Sequence, residues 1–241
     1  MATQYANGQI VTNGLVLCLN AADKNSYPGS GTTWRDLSGN VYNGTLTNGP
    51  TYSSSNGGAI SFDGTDDYID VTSFNIDAGN AFTLEAFIKP NTVSGTQTII
   101  KKNTSNDNWP IFQMVLSGAN LYGYYSSIIY GQCLEGAYTT NNPITANSWY
   151  YIAFSKGTGG YTTMKLFING ISVSYSNYLY GSHINTIASS TKPIYIGRDL
   201  DGPNWINPFN GLMPIARVYN IQLSDQEVLQ NYNAQKTRFG L

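Results

Sequence analysis

The chain has 241 residues, of which 11% are charged and 13% aromatic, and its formal net charge is -2. This length suits one all-β domain, and the supply of apolar and aromatic residues excludes a disordered chain. Basic residues form no cluster larger than Lys101-Lys102, which excludes nucleic-acid binding along a basic stripe. No apolar run reaches the roughly 18 residues of a membrane span. The polar residues 1–13 do not resemble a secretory signal, so a product made in the cytoplasm is expected.

Alternating apolar and polar residues predict β-strands along nearly the whole chain. Leu15, Leu17 and Leu19 are predicted to share one face of the first strand. Asn169-Gly170 separates two apolar segments and is the strongest two-residue signal for a β-hairpin. In chain order, strands are predicted at or near residues 15–19, 58–62, 67–72, 82–89, 97–102, 111–116, 120–125, 149–155, 164–168, 171–175, 193–197 and 212–219.

The one predicted helix lies near the C-terminus. Ser224 and Glu227 have the spacing of a capping box, and Leu223 and Val228 occupy the two hydrophobic-staple positions. The helix is predicted to run to about Ala234 and to lay three side chains on the sheets: Val228, Leu229 and Tyr232. A single short helix beside a dozen strands predicts an all-β fold, a two-sheet antiparallel jelly-roll sandwich.

The two cysteines, Cys18 and Cys133, are far apart in sequence. Two buried free thiols are the expected state, with a disulfide as the alternative. Neither cysteine has a second ligand at metal-site spacing, and His183 is the only histidine. No zinc site is therefore expected.

Eleven segments occur in an order that is typical of one family. The most specific is GAISFDGTDDYIDV at 58–71, and others include WRDLSGN at 34–40, FTLEAFIKP at 82–90, ARVYN at 216–220 and LSDQE at 223–227. The remaining segments are residues 13–20, 43–46, 149–153, 166–170, 194–197 and 209–211. Together they resemble a laminin-G-like domain of the concanavalin A-like lectin/glucanase superfamily. The resemblance implies a jelly roll over residues 13–241, preceded by an N-terminal arm at 1–12, with a concave sheet and loops that bind glycans or proteins.

The amino-acid sequence of residues 27–52 is similar to that of laminin-G-like domains in virion proteins of tailed bacteriophages. This resemblance implies a structural or decoration protein, or a fibre-type protein, that sits on a virion in many copies or as a homo-oligomer. Its expected partners are capsid or tail proteins and host-surface glycans. Because no collagen-like or coiled-coil stalk is present, a small protein attached to a larger assembly is favoured over a complete fibre. The alternative is a cellular carbohydrate-binding module or lectin, secreted or on the cell surface.

A glycan-cleaving enzyme is the distant alternative, because the superfamily includes glucanases. Such chemistry needs two carboxylates held about 5–10 Å apart. The only glutamates, Glu85, Glu135 and Glu227, are far apart in sequence. Glu227 has a predicted capping role, and Glu85 belongs to a strand motif of the family. The sequence therefore predicts a non-enzymatic protein.

No cofactor is required for binding, but calcium is a candidate because it takes six to eight oxygen ligands. Asp36, Asp66 and Asp67 are the candidate ligands, with Asp63 beside them. Many relatives carry an acidic residue where this chain has 214–215, Pro-Ile, which counts against a site of the family type. The alternative is that these aspartates form side-chain-to-backbone turn bonds.

Aromatic residues supply the predicted binding face. Trp34 and Trp149 belong to family motifs and are expected in the core, whereas Trp109 and Trp205 lie in segments rich in Pro and Asn. An exposed indole or phenol beside amides suits a sugar ring or a protein interface. The alternative is that these rings cover the sandwich edges. The candidate ligand-binding residues are Trp109, Asn204, Trp205, Tyr122, Tyr124 and Tyr125, with the tyrosines of 175–180 as a further supply.

Overall fold

The computed structural model describes residues 8–72, 74, 81–103, 110–126, 134–158, 160–181, 190–199 and 207–241. Within them, the strands are β1 Leu15–Asn20, β2 Thr33–Trp34, β3 Gly44–Thr47, β4 Thr51–Ser53, β5 Ala59–Asp63, β6 Tyr68–Val71, β7 Phe82–Pro90, β8 Thr96–Asn103, β9 Pro110–Ser117, β10 Asn120–Ser126, β11 Leu134–Tyr138, β12 Tyr150–Lys156, β13 Lys165–Ile168, β14 Ile171–Val173, β15 Ser176–Tyr180, β16 Ile194–Ile196 and β17 Asn210–Tyr219. The α-helix is α1 Asp225–Asn233, and short 3-10 helices cover Ser55–Gly57, Gly160–Thr163 and Lys236–Phe239.

These strands form two antiparallel sheets, which confirms the predicted sandwich. The eight-stranded sheet has the order β14-β13-β12-β7-β17-β5-β4, with β1 also paired to β17. The nine-stranded sheet has the order β15-β11-β10-β9-β8-β16-β6-β3-β2. Among the described strands, eight of the fifteen neighbouring pairs join strands that are not consecutive in the chain, so each sheet depends in part on contacts that close long loops.

The main core lies between the two sheets. Phe82, Leu84, Ala86 and Ile88, at alternate positions of β7, all belong to this core. Trp34 is also fully buried there, as predicted. The face predicted for β1 is confirmed for Leu17 and Leu19 but wrong for Leu15, because the register of β1 is irregular between Leu15 and Leu17. Strand side chains alternate between faces, so one apolar face of each sheet is hidden from water.

A second core covers the other face of the eight-stranded sheet. Phe87 and Tyr151 on the sheet pack with Val228 of α1 and with Phe239. The Phe87 and Phe239 rings stack with centroids 4.6 Å apart, and Trp149 lies 4.8 Å from Phe239. This covering explains why β7 and β12 are buried on both faces.

The capping box of α1 is confirmed. The Ser224 hydroxyl accepts a hydrogen bond from the Glu227 amide at 3.3 Å, and the Glu227 carboxylate accepts one from the Ser224 amide at 2.8 Å. Val228 is buried and Tyr232 is partly buried, as expected. The prediction for Leu229 is wrong: this side chain is 36% exposed, because the short helix turns it away from the sheet.

Every predicted strand overlaps an observed one, but the short strands β2, β3 and β4 and the strands β11 and β15 were missed. Their residues are mainly Ser, Thr, Gly, Asn and Tyr, without a clear apolar alternation. Strand formation there depends on pairing with a neighbour, as β11 pairs with β10 and β15 with β11. β-propensity is strongly dependent on such context.

Three further features bear on the predictions. Cys18 is a buried free thiol, and Cys133 lies outside the described residues. Of the predicted arm, Val11 is buried, and its amide donates to the Asn231 side chain at 2.7 Å. No helix in the described part of the chain has the length and hydropathy to cross a membrane.

Candidate functional site

Five tyrosines lie on the outer face of the nine-stranded sheet, next to its β15 edge. Residues directly opposite each other in an antiparallel pair share a face. Tyr122 is opposite Tyr138, and Tyr124 is opposite Gly136, which in turn is opposite Tyr178. Leu121 and Ala137, their neighbours in sequence, face the core between the sheets. We call the group the tyrosine patch: Tyr122, Tyr124, Tyr138, Tyr178 and Tyr180.

The rings of the patch contact each other in a defined arrangement. Tyr122 and Tyr138 stack with centroids 5.0 Å apart and an interplanar angle of 8°. Tyr124 lies 5.7 Å from Tyr122, and Tyr178 stands nearly perpendicular to Tyr124 at 5.8 Å. Such stacked and edge-to-face pairs are favourable geometries for aromatic rings. They hold an aromatic platform (Tyr122, Tyr124, Tyr138) beside an upright wall (Tyr178).

Gly136 makes room for this arrangement. A Cβ atom at position 136 would overlap the Tyr124 ring and lie close to the Gly123 carbonyl oxygen. Its lack of a side chain therefore lets Tyr124 lie across β11. Glycine in a strand interior often marks such a close approach.

The patch is open to solvent and uncharged. Tyr178 is 41% exposed and Tyr180 48% exposed, while Tyr122, Tyr124 and Tyr138 are partly buried. Burial raises the pKa of Tyr124, and the neighbouring Tyr122, Tyr178 and Tyr138 raise it further. The Tyr124 hydroxyl therefore stays protonated at pH values well above neutral. A surface of this kind offers apolar ring faces for stacking and hydroxyls that donate and accept hydrogen bonds.

The predicted binding residues divide into three groups. Tyr122 and Tyr124 lie in the patch. Tyr125 requires a correction: it is only 1% exposed, its hydroxyl donates to the Glu135 carboxylate, and the Lys156 ammonium lies 4.7 Å from its ring. It faces the interior because it is one position out of phase with Tyr124. The predicted residues Trp109, Asn204 and Trp205 lie outside the described residues.

Sequence reasoning missed Tyr138 and did not place Tyr178 and Tyr180. The signal that could have found Tyr138 is the segment LEGAY at 134–138, where an aromatic residue stands two positions after a glycine. The register that brings it beside Tyr122 is set by pairing between β10 and β11. That register has no local signature in the sequence.

The predicted calcium ligands do not all come together. Asp36 organises its own turn: its carboxylate accepts hydrogen bonds from the amides of Cys18 and Ser38, both at 2.9 Å, and from the amide of Tyr42 at 3.1 Å. The Ser38 hydroxyl also donates to it at 2.7 Å. This is the arrangement expected of an aspartate that forms turn bonds.

Asp66 and Asp67 instead group with Asp63, with one carboxylate oxygen from each lying within 4.8 Å of the others. The Asp67 carboxylate accepts the Asp63 amide at 2.9 Å, and Asp63 accepts the Thr65 amide at 2.7 Å. Burial raises the pKa of Asp67, and the nearby Asp63 and Asp66 raise it further. The three oxygens are close enough to share a cation, but they supply at most three of the about six to eight ligands that calcium takes.

The glutamates are held in structural contacts. Glu85 is fully buried and accepts hydrogen bonds from Tyr151 at 2.5 Å, Asn231 at 2.9 Å and Arg217 at 3.2 Å. Glu135 is 2% exposed beside Tyr125. With Glu227 in the capping box, each glutamate has a partner that accounts for it without catalysis.

Comparison with known proteins agrees with this architecture. Residues 63–229 match a laminin-G family model described as the concanavalin A-like lectin/glucanases superfamily. A comparison with curated proteins finds no match. Among solved structures, the chain is similar to the receptor-binding domain of botulinum neurotoxin C/D mosaic serotype, with a TM-score of 0.69 and 16% identity over 93% of this chain and 52% of that one.

Two other similar structures were solved with a bound molecule. One is the binding domain of botulinum neurotoxin DC in complex with rat synaptotagmin II, with a TM-score of 0.68, 14% identity and coverage of 93% of this chain and 52% of that one. The other is the ligand-binding domain of botulinum neurotoxin serotype D in complex with N-acetylneuraminic acid, with a TM-score of 0.64, 16% identity and coverage of 93% and 52%. The chain thus spans about half the length of these structures, and at this identity the likeness concerns the fold.

Proposed function

Because this chain belongs to the laminin-G-like family of the concanavalin A-like lectin/glucanases superfamily, we propose that it is a non-enzymatic binding protein. Its proposed ligand is a glycan that stacks on the tyrosine patch. The observation that carries the proposal is the patch itself: five tyrosines on one outer sheet face, two of them more than 40% exposed.

The chemistry of the patch supports a sugar as ligand. Sugar rings present apolar C–H faces and a rim of hydroxyls, which match stacked phenol rings and their hydroxyls. Pairing places Glu135 on the opposite, inner face of β11. The outward positions described on β10, β11 and β15 carry no charged side chain. A neutral glycan is therefore favoured over a charged one, because binding would not rely on ion pairs.

A glycan-array screen of the purified protein tests this proposal. Selective binding that is lost in Tyr124→Ala and Tyr178→Ala is the expected result. Tyr68→Ala is the matched control, since Tyr68 lies on the same sheet but contacts Tyr195 and Arg198 instead of the patch. An array without binding by a well-folded sample, or binding unaffected by both patch variants, would contradict the proposal. Trp109→Ala and Trp205→Ala test the proposed contribution of these two residues.

We also propose that the protein is a virion component, present in many copies on a capsid or tail, where the patch contacts host-surface glycans. This proposal is supported by the amino-acid sequence of residues 27–52, which is similar to that of laminin-G-like domains of tailed-phage virion proteins. Sedimentation of the protein with purified particles is the expected result. If it never sediments with particles but still binds glycans, the role of a cellular lectin is favoured instead.

Calcium remains a candidate ligand of the acidic turn formed by Asp63, Asp66 and Asp67. A rise in the melting temperature on adding calcium, reversed by a chelator and lost in Asp66→Asn, would support it. An unchanged melting temperature would assign the turn to its own hydrogen bonds. Asp36→Asn is the control, because the Asp36 carboxylate organises a separate turn.

A further inference from the structure

A glutamine side chain borders the tyrosine patch on the outer face of the nine-stranded sheet. Gln113 lies in the middle of β9, and strand pairing places it directly opposite Tyr124 of the patch. Its neighbours in sequence, Phe112 and Met114, belong to the core between the sheets. Because side chains alternate between the two faces of a strand, Gln113 points to the same face as the tyrosine patch.

The Gln113 side chain is largely buried, yet its amide has unused hydrogen-bonding capacity. Gln113 is only 9% exposed, and no hydrogen bond joins its amide to any other group among the residues that the structure describes. Buried side-chain amides normally have partners, and a glutamine amide offers one acceptor oxygen and two N–H donors. These groups are therefore available to a molecule that reaches the outer face.

A second buried glutamine, on the neighbouring strand β8, has a purely structural role. Gln97 is 2% exposed, its amide nitrogen donates to the Thr92 carbonyl at 2.8 Å, and its amide oxygen accepts the Asn210 amide at 3.0 Å. The second bond joins β8 to β17 of the other sheet. Gln113 has no such bonds in the described part of the chain, so the packing of the fold does not account for its amide.

We propose that Gln113 is a specificity-determining residue of the glycan site, whose amide hydrogen-bonds two adjacent hydroxyls of a sugar unit. The inference rests on the proposed function and names the substrate class of that site: neutral glycans with a free pair of adjacent hydroxyls. One hydroxyl donates to the amide oxygen, and the other accepts from the amide nitrogen. A sugar stacked on Tyr124 is within reach, because directly opposite residues of an antiparallel pair have Cβ atoms about 4.5–5.5 Å apart.

The charged neighbour of Gln113 is already neutralised. Gln113 is opposite Lys101 of β8 on its other side, and the Lys101 ammonium lies 2.6 Å from the Asp199 carboxylate in a buried ion pair. The row from Tyr124 through Gln113 to Lys101 therefore has no net charge once Asp199 is counted. A charged ligand group would have to lose its own water next to this pair without a new counterion. Uncharged hydroxyls are thus the groups that suit the Gln113 amide.

Binding to an array of neutral glucose, galactose and mannose oligosaccharides, with O-methylated counterparts, tests the proposal. Gln113→Met keeps a side chain of similar length but removes the donor and the acceptor. We expect the native protein to prefer the free oligosaccharides. Gln113→Met should bind them about tenfold more weakly, as the loss of one or two neutral hydrogen bonds predicts, and should lose the preference. It should keep the weak binding by stacking that Tyr124→Ala lacks.

Stability without a sugar is the second measurement. Because the structure gives the Gln113 amide no bond to lose among the described residues, Gln113→Met should leave the urea midpoint unchanged or raise it. Gln97→Met is the matched control. It leaves two backbone groups without their partner, so it should lower the midpoint while the folded protein keeps its preference for free hydroxyls.

The outcomes separate this inference from the proposed function. If Tyr124→Ala abolishes binding but Gln113→Met binds and discriminates like the native protein, the role of Gln113 is wrong and the tyrosine patch stands. A urea midpoint for Gln113→Met as low as that of Gln97→Met would also overturn the role of Gln113, because it would show a structural partner. If the native protein binds no neutral oligosaccharide, the proposed function fails and this inference fails with it.

Discussion

At the scale of single residues, position 136 shows how the absence of a side chain shapes the candidate site. Gly136→Ala should displace the Tyr124 ring, which lies where the new methyl group would be. We expect a loss of about 1–3 kcal/mol in the free energy of unfolding, as for other overpacked sites, together with loss of the proposed glycan binding. Urea unfolding and the glycan array measure the two effects.

The direction of the stability change in Gly136→Ala distinguishes this site from an ordinary strand glycine. Replacing glycine by alanine in a strand normally stabilises it by about 0.5–1 kcal/mol. Ser176→Ala is the control, because Ser176 lies opposite Tyr138 next to the patch. If Gly136→Ala were as stable as the native protein and still bound ligand, Tyr124 would not need its position across β11.

Glu85 is expected to stabilise the fold through a buried ion pair. Glu85 and Arg217 are at most 1% exposed, and the Arg217 Nη1 atom lies 3.2 Å from the Glu85 carboxylate. Glu85→Leu leaves the guanidinium buried without this carboxylate and should cost about 3–5 kcal/mol of stability. Glu85→Leu combined with Arg217→Met should recover part of this loss. Chemical unfolding of the three proteins measures the difference.

An exposed ion pair in the same chain provides the comparison. Lys165 and Asp225 are 2.7 Å apart, but their side chains are 43% and 54% exposed. Lys165→Ala should therefore cost less than about 1 kcal/mol. Equal losses for Lys165→Ala and Glu85→Leu would show that burial of the Glu85 pair has no special effect.

At the scale of elements, helix α1 depends on its first turn. Ser224→Ala removes the hydroxyl that accepts the Glu227 amide and should lower the free energy of unfolding by about 1 kcal/mol. The effect should appear in global unfolding, because α1 covers Phe87 and Tyr151 on the eight-stranded sheet. Thermal unfolding followed by circular dichroism measures it.

Ser224→Thr is the matched control for the cap. The threonine hydroxyl can accept the same amide and, like that of Ser224, donate to the Glu227 carboxylate. This variant should stay close to the native stability. A loss equal to that of Ser224→Ala would mean that the hydroxyl acts through some contact other than the cap.

The strands that were predicted and those that were missed differ in where their strand signal lies. β7 carries four core side chains at alternate positions, so its period is visible in the sequence. β11 and β15 instead form strands through pairing: β11 pairs with β10, and β15 pairs with β11. A propensity that depends on a neighbouring strand cannot be read from the segment alone.

At the scale of the whole molecule, two buried lysines should make stability depend on pH. Burial lowers the pKa of Lys102 to about 8 and that of Lys156 to about 8, in the second case against the opposite effect of Glu135. The unfolded chain keeps these protons up to about pH 10.5, so protonation favours unfolding between the two values. These two groups should therefore raise stability by about 1–3 kcal/mol between pH 8 and 10. Burial raises the pKa of the Cys18 thiol, so this group opposes part of the rise above about pH 8.5, where an unfolded thiol ionises.

Urea unfolding at several pH values measures this rise. It should flatten in the Lys102→Met/Lys156→Met variant and persist in Lys165→Met, whose lysine is exposed. Above about pH 10 the rise should reverse, because unfolded tyrosines ionise there while burial raises the pKa of Tyr124 in the native state. Stability that falls steadily from pH 8 would contradict the assignment of the two lysines.

The sequence by itself determined the class of fold, the strands with a clear alternation and the capped helix. These are properties of neighbouring residues, since the strand period and the capping box act over a few positions. It also indicated Tyr122 and Tyr124 as surface residues. It could not separate them from Tyr125, because all three stand in one short aromatic run.

Only the tertiary structure decided which tyrosines share a face. Tyr138 reaches Tyr122, and Tyr178 reaches Tyr124, through the pairing of β10, β11 and β15. A shift of one residue in this register would turn each of them to the opposite face. The structure likewise grouped Asp66 and Asp67 with Asp63 but not with Asp36. Contacts between strands far apart in the chain set these arrangements, and their register has no local signal.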